Sequence, residues 1–180
     1  MMTPNSRPQQ TEAKTRALLE EAGVRERVAL LGMRGYYSRT FAPDGNNRGV
    51  YDDAVFLVTP DGVRAFNFNT DPGAYRQGIA TLRPGVWRYK QGIHGLSKPA
   101  NRRYPALVQA GEVTVSRDGE RAETGYFGIN IHRGGAGSTS SLGCQTLPPD
   151  QWAEFFGAVC AAMNSAGQKS LPYVLVEVTP

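Results

Sequence analysis

From Gly134 to Ser141 the chain reads Gly-Gly-Ala-Gly-Ser-Thr-Ser-Ser, a run too small and flexible to pack a core. Any fold must hold the two ends of this run, and both ends carry chemistry. Upstream, Tyr126, Gly128, Asn130 and His132 alternate with Phe127, Ile129 and Ile131, the period of a strand with two unlike faces. Downstream, Ser141-Leu-Gly-Cys144-Gln-Thr-Leu147 passes through Pro148-Pro149-Asp150 into an amphipathic helix expected over 149–164. A histidine at a strand end and a cysteine at a loop end, just ahead of a helix, suit a nucleophile and its base. A free thiol, with a pKa near ~8.5, reacts poorly at neutral pH until a base or a positive environment deprotonates it. His132 can be that base.

These residues resemble the L,D-transpeptidase (YkuD-like) catalytic domain, which carries a strand ending in His, a glycine-rich loop, then Ser-His-Gly-Cys and a helix. The matching positions are His132, Ser141-Leu142-Gly143-Cys144-Gln145-Thr146-Leu147 and the helix that follows, in roughly the last two-thirds of the chain. Leu142 stands where the family has the His before Gly-Cys, and Thr146 where it has a polar Arg or Asn. The resemblance implies a mainly β (α+β) YkuD-like domain of β-sandwich type. It implies attack by Cys144 on a carbonyl at an L-to-D junction of a peptidoglycan stem peptide. The backbone carbonyl of Arg133 would then orient His132. Asn130, on the same strand face, is the side-chain alternative.

Gly143 and Cys144 offer backbone N–H groups to a developing oxyanion. Ser141 is expected to contact substrate beside the nucleophile, while Ser140 and Thr139 satisfy the loop backbone. Arg133 could meet a stem-peptide carboxylate or simply be solvated. His94 and Tyr104 flank a loop that could wall the cleft, with His94 a surface residue and reserve base. No metal is expected, because His94, His132, Cys144 and Cys160 contain no closely spaced ligand pair. Nor does a phosphate-cradling motif appear, and no cofactor is implied. Cys160 falls in the helical stripe Trp152, Phe155, Phe156, Val159, Cys160, Met163 and reads as a small core residue.

The other elements follow from turn chemistry and periodicity. Residues 1–10, polar and bearing two prolines, read as a flexible arm, and 11–180 as one domain. One helix is expected over 11–22 with Thr11 as N-cap and Gly23 as terminator, and a second over 24–31. Pro43-Asp44-Gly45-Asn46-Asn47 reads as a turn. Strands are expected at 50–58 and 63–69, joined by Thr59-Pro60-Asp61-Gly62, then at 85–93, 104–108, 112–116, 124–132 and 171–178.

The formal charge of +4 favours an anionic partner, yet Arg102-Arg103 is singled out as the one adjacent basic pair, so nucleic acid is not indicated. No apolar run is long enough to span a bilayer. The polar start shows no signal peptide, so an enzyme of the wall would be made in the cytoplasm and reach periplasm or wall by lysis or specialised secretion. The oligomeric state is left open, a monomer included. Two rivals stand beside the wall-enzyme expectation. One is a Cys-His peptidase or amidase on another fold. The other is a non-catalytic wall-binding or phage structural module with a decayed site, to which Leu142 and Thr146 give support.

Overall fold

The computed structural model describes residues 2–41 and 46–178 and is mainly β. Pro43 to Gly45 of the expected turn lie outside the described residues. Helix α1 (Glu12–Glu21) is capped by Thr11, whose hydroxyl accepts from Lys14 N–H, and ends before Gly23 in the left-handed region at φ +78°. Strands follow as β1 (Ala29–Arg34), β2 (Asp53–Thr59) and β3 (Gly62–Phe68), with β2 and β3 forming the expected hairpin. Next come β4 (Ala80–Leu82), β5 (Gly85–His94), β6 (Tyr104–Gln109), β7 (Val113–Arg117), β8 (Glu120–Gly125), β9 (Ile131–Arg133) and β10 (Gln145–Leu147). Helix α2 (Pro149–Ala166) and strand β11 (Leu171–Glu177) complete the order.

Eight strands form one sheet in the order β10-β9-β6-β5-β11-β1-β2-β3, and β4-β7-β8 form a second. Just past β3, Asn69 bridges to Thr146 of β10, so the large sheet nearly closes on itself. One face buries Leu30, Val55, Phe66, Phe68, Leu107 and Leu147 with Phe155, Val159 and Met163 of α2. Its opposite face buries Leu31, Met33, Phe56, Val58 and Val174 with Leu19 of α1.

That double burial overturns one expectation. The segment expected as a helix over 24–31 instead runs into β1, buried at all six positions. A strand covered on both faces has no polar alternation, so its apolar run cannot be told from a buried helix by periodicity. The expected strand over 124–132 is also corrected, because it splits into β8 and the three residues of β9. Gly128 turns into the left-handed region at φ +71°, and the Gln109 side chain takes the place of a strand partner. Its Oε1 accepts from the N–H groups of Phe127, Gly128 and Ile129 at 3.1–3.2 Å, and its Nε2 donates to Gly125 O at 2.8 Å.

The segment expected as an arm has no regular structure but lies against the sheet. Ser6 O accepts from Tyr37 Oη–H and Asn67 Nδ2, and Arg7 pairs with Glu154. Helix α2 begins at Pro149 as expected and extends two residues further, to Ala166, where Gly167 at φ +66° caps it. Its buried stripe is Trp152, Phe155, Val159 and Met163; Cys160 sits half-exposed at the edge of it, which corrects its placement in the core. No helix among the described residues is long and apolar enough to cross a membrane.

Candidate functional site

Strand pairing brings the two ends of the Gly-Ser run together. β10 runs parallel to β9 with Gln145 opposite Ile131 and Thr146 opposite His132, and Gln145 N–H donates to Asn130 O at 2.9 Å. Cys144, immediately before β10, therefore lies beside the strand that carries His132. Its sulfur donates to Gly128 O at 3.4 Å. The loop between them is tied down at its small residues. Tyr51 Oη–H donates to Gly135 O at 2.8 Å, and the Tyr51 hydroxyl lies where a Cβ on residue 134 would have to go. Gly143 sits at φ +125°, and a Cβ there would lie 2.6 Å from Ala80 O, so only glycine fits.

His132 is 3% exposed, and its Nδ1–H donates to Arg133 O at 2.8 Å. The carbonyl can only accept, so Nδ1 carries the proton and Nε2 keeps its lone pair, the tautomer a base requires. Tyr104 Oη–H donates to the same carbonyl at 3.2 Å while its oxygen lies 3.0 Å from Nδ1. Of the two expected orienting groups, Arg133 O is therefore the one in contact with His132. Asn130 turns elsewhere, accepting from Gln109 N–H at 3.2 Å and donating from Nδ2 towards His94 Nδ1 at 3.3 Å.

Two further expectations are corrected by hydrogen bonding. Gly143 N–H donates to Ser141 Oγ at 3.1 Å, and Ser141 Oγ–H donates to Cys144 O at 2.6 Å. The Gly143 amide is thus engaged inside the loop, which leaves Cys144 N–H as the free donor there among the described residues. Ser141, 4% exposed, staples the loop through these two bonds. Thr146 is fully buried, with its Oγ1 accepting from Asn69 Nδ2 at 3.1 Å, and so serves the sheet closure.

His94 is half-buried and lines the cleft, as its expected place in the wall required, and its ring stacks on His132 with centroids 3.9 Å apart and planes 26° apart. Arg133 lays its guanidinium over the Tyr104 ring, outside the residues that line the cleft. Leu142 is 69% exposed at the rim. The cleft itself has a volume of about 760 Å³, floored by His132, Asn130 and Cys144 and walled by Ile93, Leu96, Val108, Tyr126 and Phe127. Tyr104, expected beside His94 as a cleft wall, is not among the residues that line the cleft and instead sets its hydroxyl against His132 and the Arg133 carbonyl. Gln109 escaped assignment because nothing in a linear sequence ties position 109 to the 126–133 stretch.

Burial dominates the electrostatics. It pushes His132 down to about 4; a proton on the neighbouring His94 pushes the same way by charge repulsion, and the Arg133 carbonyl opposes both. Burial likewise raises the Cys144 thiol, against the Asn130 amide and the Lys98 charge, which lower it. Both shifts favour the uncharged forms, a thiol and a neutral imidazole, at neutral pH.

One donor atom each from His94, His132 and Cys144 lies within 4.8 Å of the others. These are the residues a metal ion would have to use. Ring nitrogens present their lone pairs in the ring plane, and two rings stacked at 26° aim those pairs side by side instead of at one point. His94 Nδ1 is moreover taken by Asn130. The arrangement brings a thiol within reach of an imidazole. Compared with protein-family models, with curated proteins and with solved structures, the chain matches none of them.

Proposed function

We propose that this chain is a YkuD-like cysteine enzyme acting on the peptide stems of bacterial peptidoglycan through a thioester acyl-enzyme. The observation that carries the reading is the meeting of the Cys144 sulfur and a ring nitrogen of His132 within 4.8 Å at the floor of an open cleft. The Arg133 carbonyl at Nδ1 supports it by leaving Nε2 free to take a proton.

In this mechanism His132 Nε2 takes the Cys144 proton as the sulfur adds to the scissile carbonyl. The oxyanion of the tetrahedral intermediate is met by Cys144 N–H. Collapse breaks the C–N bond, the amine leaves with the proton from His132, and a thioester remains. An incoming amine or water, deprotonated by His132, then attacks the thioester; the C–S bond breaks, the acyl group leaves on the amine or water, and His132 returns the proton to sulfur. The substrate class places the reaction in the periplasm or wall.

Incubation with purified peptidoglycan fragments, followed by mass spectrometry, tests the reading. Wild-type protein is expected to show a mass increase at Cys144 and altered stem peptides. Cys144→Ala and His132→Ala should each lower turnover on the order of 10³-fold or more with the fold retained. An added D-amino acid separates the outcomes, since exchange marks transpeptidation and gain of water marks hydrolysis. Unchanged products from Cys144→Ala would remove the nucleophile. Binding of fragments by the wild type without turnover would make the chain a binding module.

A further inference from the structure

A proton moved from Cys144 to His132 leaves a cation on a ring that is almost wholly buried. In most nucleophile–histidine pairs a carboxylate or amide side chain answers that charge. Here no carboxylate lines the cleft: its ionisable side chains, among the described residues, are Lys90, His94, Lys98, Tyr126, His132 and Cys144. The Arg133 carbonyl and the Tyr104 oxygen meet one edge of His132, and the ring of His94 covers a face. His94 is itself fixed. Gln109 N–H holds Asn130 Oδ1, which aims Asn130 Nδ2 at His94 Nδ1, so that nitrogen accepts and the His94 proton belongs on Nε2.

We propose that His94 is a positioning residue: its neutral ring, oriented by Asn130, holds His132 against the thiol and stabilises through its π face the imidazolium that forms there. The inference rests on the reading of Cys144 and His132 as nucleophile and base. An electron-rich face at 3.9 Å attracts a cation formed opposite it. The groups around His94 keep it neutral. Lys98 on the next loop, Tyr104 on β6, His132 on β9 and Cys144 face it, and none is an anion in the resting state. Burial and the Lys98 charge both push its pKa down. A proton on His94 would set two cations face to face and block transfer from the thiol.

The test is the rate of Cys144 alkylation by iodoacetamide across pH, read by intact mass on a Cys160→Ser background so that one thiol is counted. His94→Leu, which removes the π face, should slow alkylation at neutral pH roughly 10-fold. His94→Phe, which keeps the face and cannot titrate, should restore the rate to within about 3-fold and extend activity further into acid. Asn130→Asp should protonate His94 and move the rise in rate to higher pH; this variant leaves the His94 ring in place should His94→Leu fail to fold. The proposal is overturned if His94→Leu reacts like the wild type, if His94→Phe is as slow as His94→Leu, or if Asn130→Asp leaves the pH profile unmoved. His132→Ala separates the two levels of failure. If it leaves alkylation untouched, the nucleophile–base reading falls and takes this inference with it. If it slows alkylation while His94→Leu does not, the reading stands and the role of His94 alone is lost.

Discussion

Two polar clusters meet at neighbouring residues, and they are built on opposite terms. Behind Gln145, whose Nε2 donates to Thr70 O, lies a buried set of Arg34, Asp52, Asp53 and Asp71. Its charges are held by fixed partners. Arg34 donates to Thr70 Oγ1, Thr70 O and Leu82 O at 2.8–3.0 Å and lies 3.5 Å from Asp71. Asp53 accepts from Gly35 N–H, Thr70 N–H and Thr70 Oγ–H at 2.6–2.8 Å. In front, at Cys144, the sulfur has a single 3.4 Å bond and its amide has no partner among the described residues. Saturated partners lock a shape, because moving any one group strands another in low dielectric. Groups with few partners are freer to change theirs. The first cluster is built to hold a shape, and the second is the one the proposed chemistry would use.

The comparison breaks most visibly at Arg34. Arg34→Leu removes the one cation of the buried set and strands its carboxylates, which should lower the unfolding free energy by ~3–5 kcal/mol in urea titrations. Alkylation of Cys144 in the fraction that stays folded should be unchanged. A variant of wild-type stability with a slowed thiol would show that the buried set takes part in the chemistry.

A smaller effect is expected at Gln109, the link between sheet and site. Gln109→Leu leaves the N–H groups of Phe127, Gly128 and Ile129 and the Gly125 carbonyl without their partner, a loss of ~2 kcal/mol. Hydrogen exchange at those three amides should rise on the order of 10-fold, while β10 amides keep their protection. Equal acceleration in β10 would mean that Gln109 supports the whole sheet and not the strand leading to His132.

What the sequence made legible followed local physics. The hairpin at Thr59-Pro60-Asp61-Gly62, the Thr11 cap and the Pro149 helix start are each written in adjacent residues, and each is found in place. The expected proximity of Cys144 and His132 holds because the loop between them is short and its small residues let it turn. Elements without a local signature were misread or missed. β1 lacks alternation because both faces are covered, and the three-residue strands β4, β9 and β10 are too short to show a period. His94, Tyr104 and Gln109 reach the site through pairing of β5, β6 and β9, which is a property of topology. Ser141 and Gly143 were read from their distance to Cys144, whereas their hydrogen bonds tie both into the loop.

The finest test sets the two clusters against each other by pH. Burial pushes Asp52 up to about 6, with the neighbouring Asp71 adding to it and the Asn47 N–H opposing it. A carboxyl raised on folding contributes stability that is complete below its unfolded pKa, near ~3.9, and is lost as pH rises through about 6. Burial pushes His132 the other way, down to about 4. Its contribution is complete above the unfolded value, near ~6.5, and is lost as pH falls through about 4. Between those limits the two groups pull stability in opposite directions. Asp52→Asn should therefore cost the protein its acid-side advantage, and His132→Gln should enlarge it, each by ~1–2 kcal/mol across the window. Thermal melts from about pH 4 to 6 read the slopes directly. Tilts of the same sign in both variants would mean that one titrating network spans Gln145, and the division between a locked cluster and a mobile one would not survive.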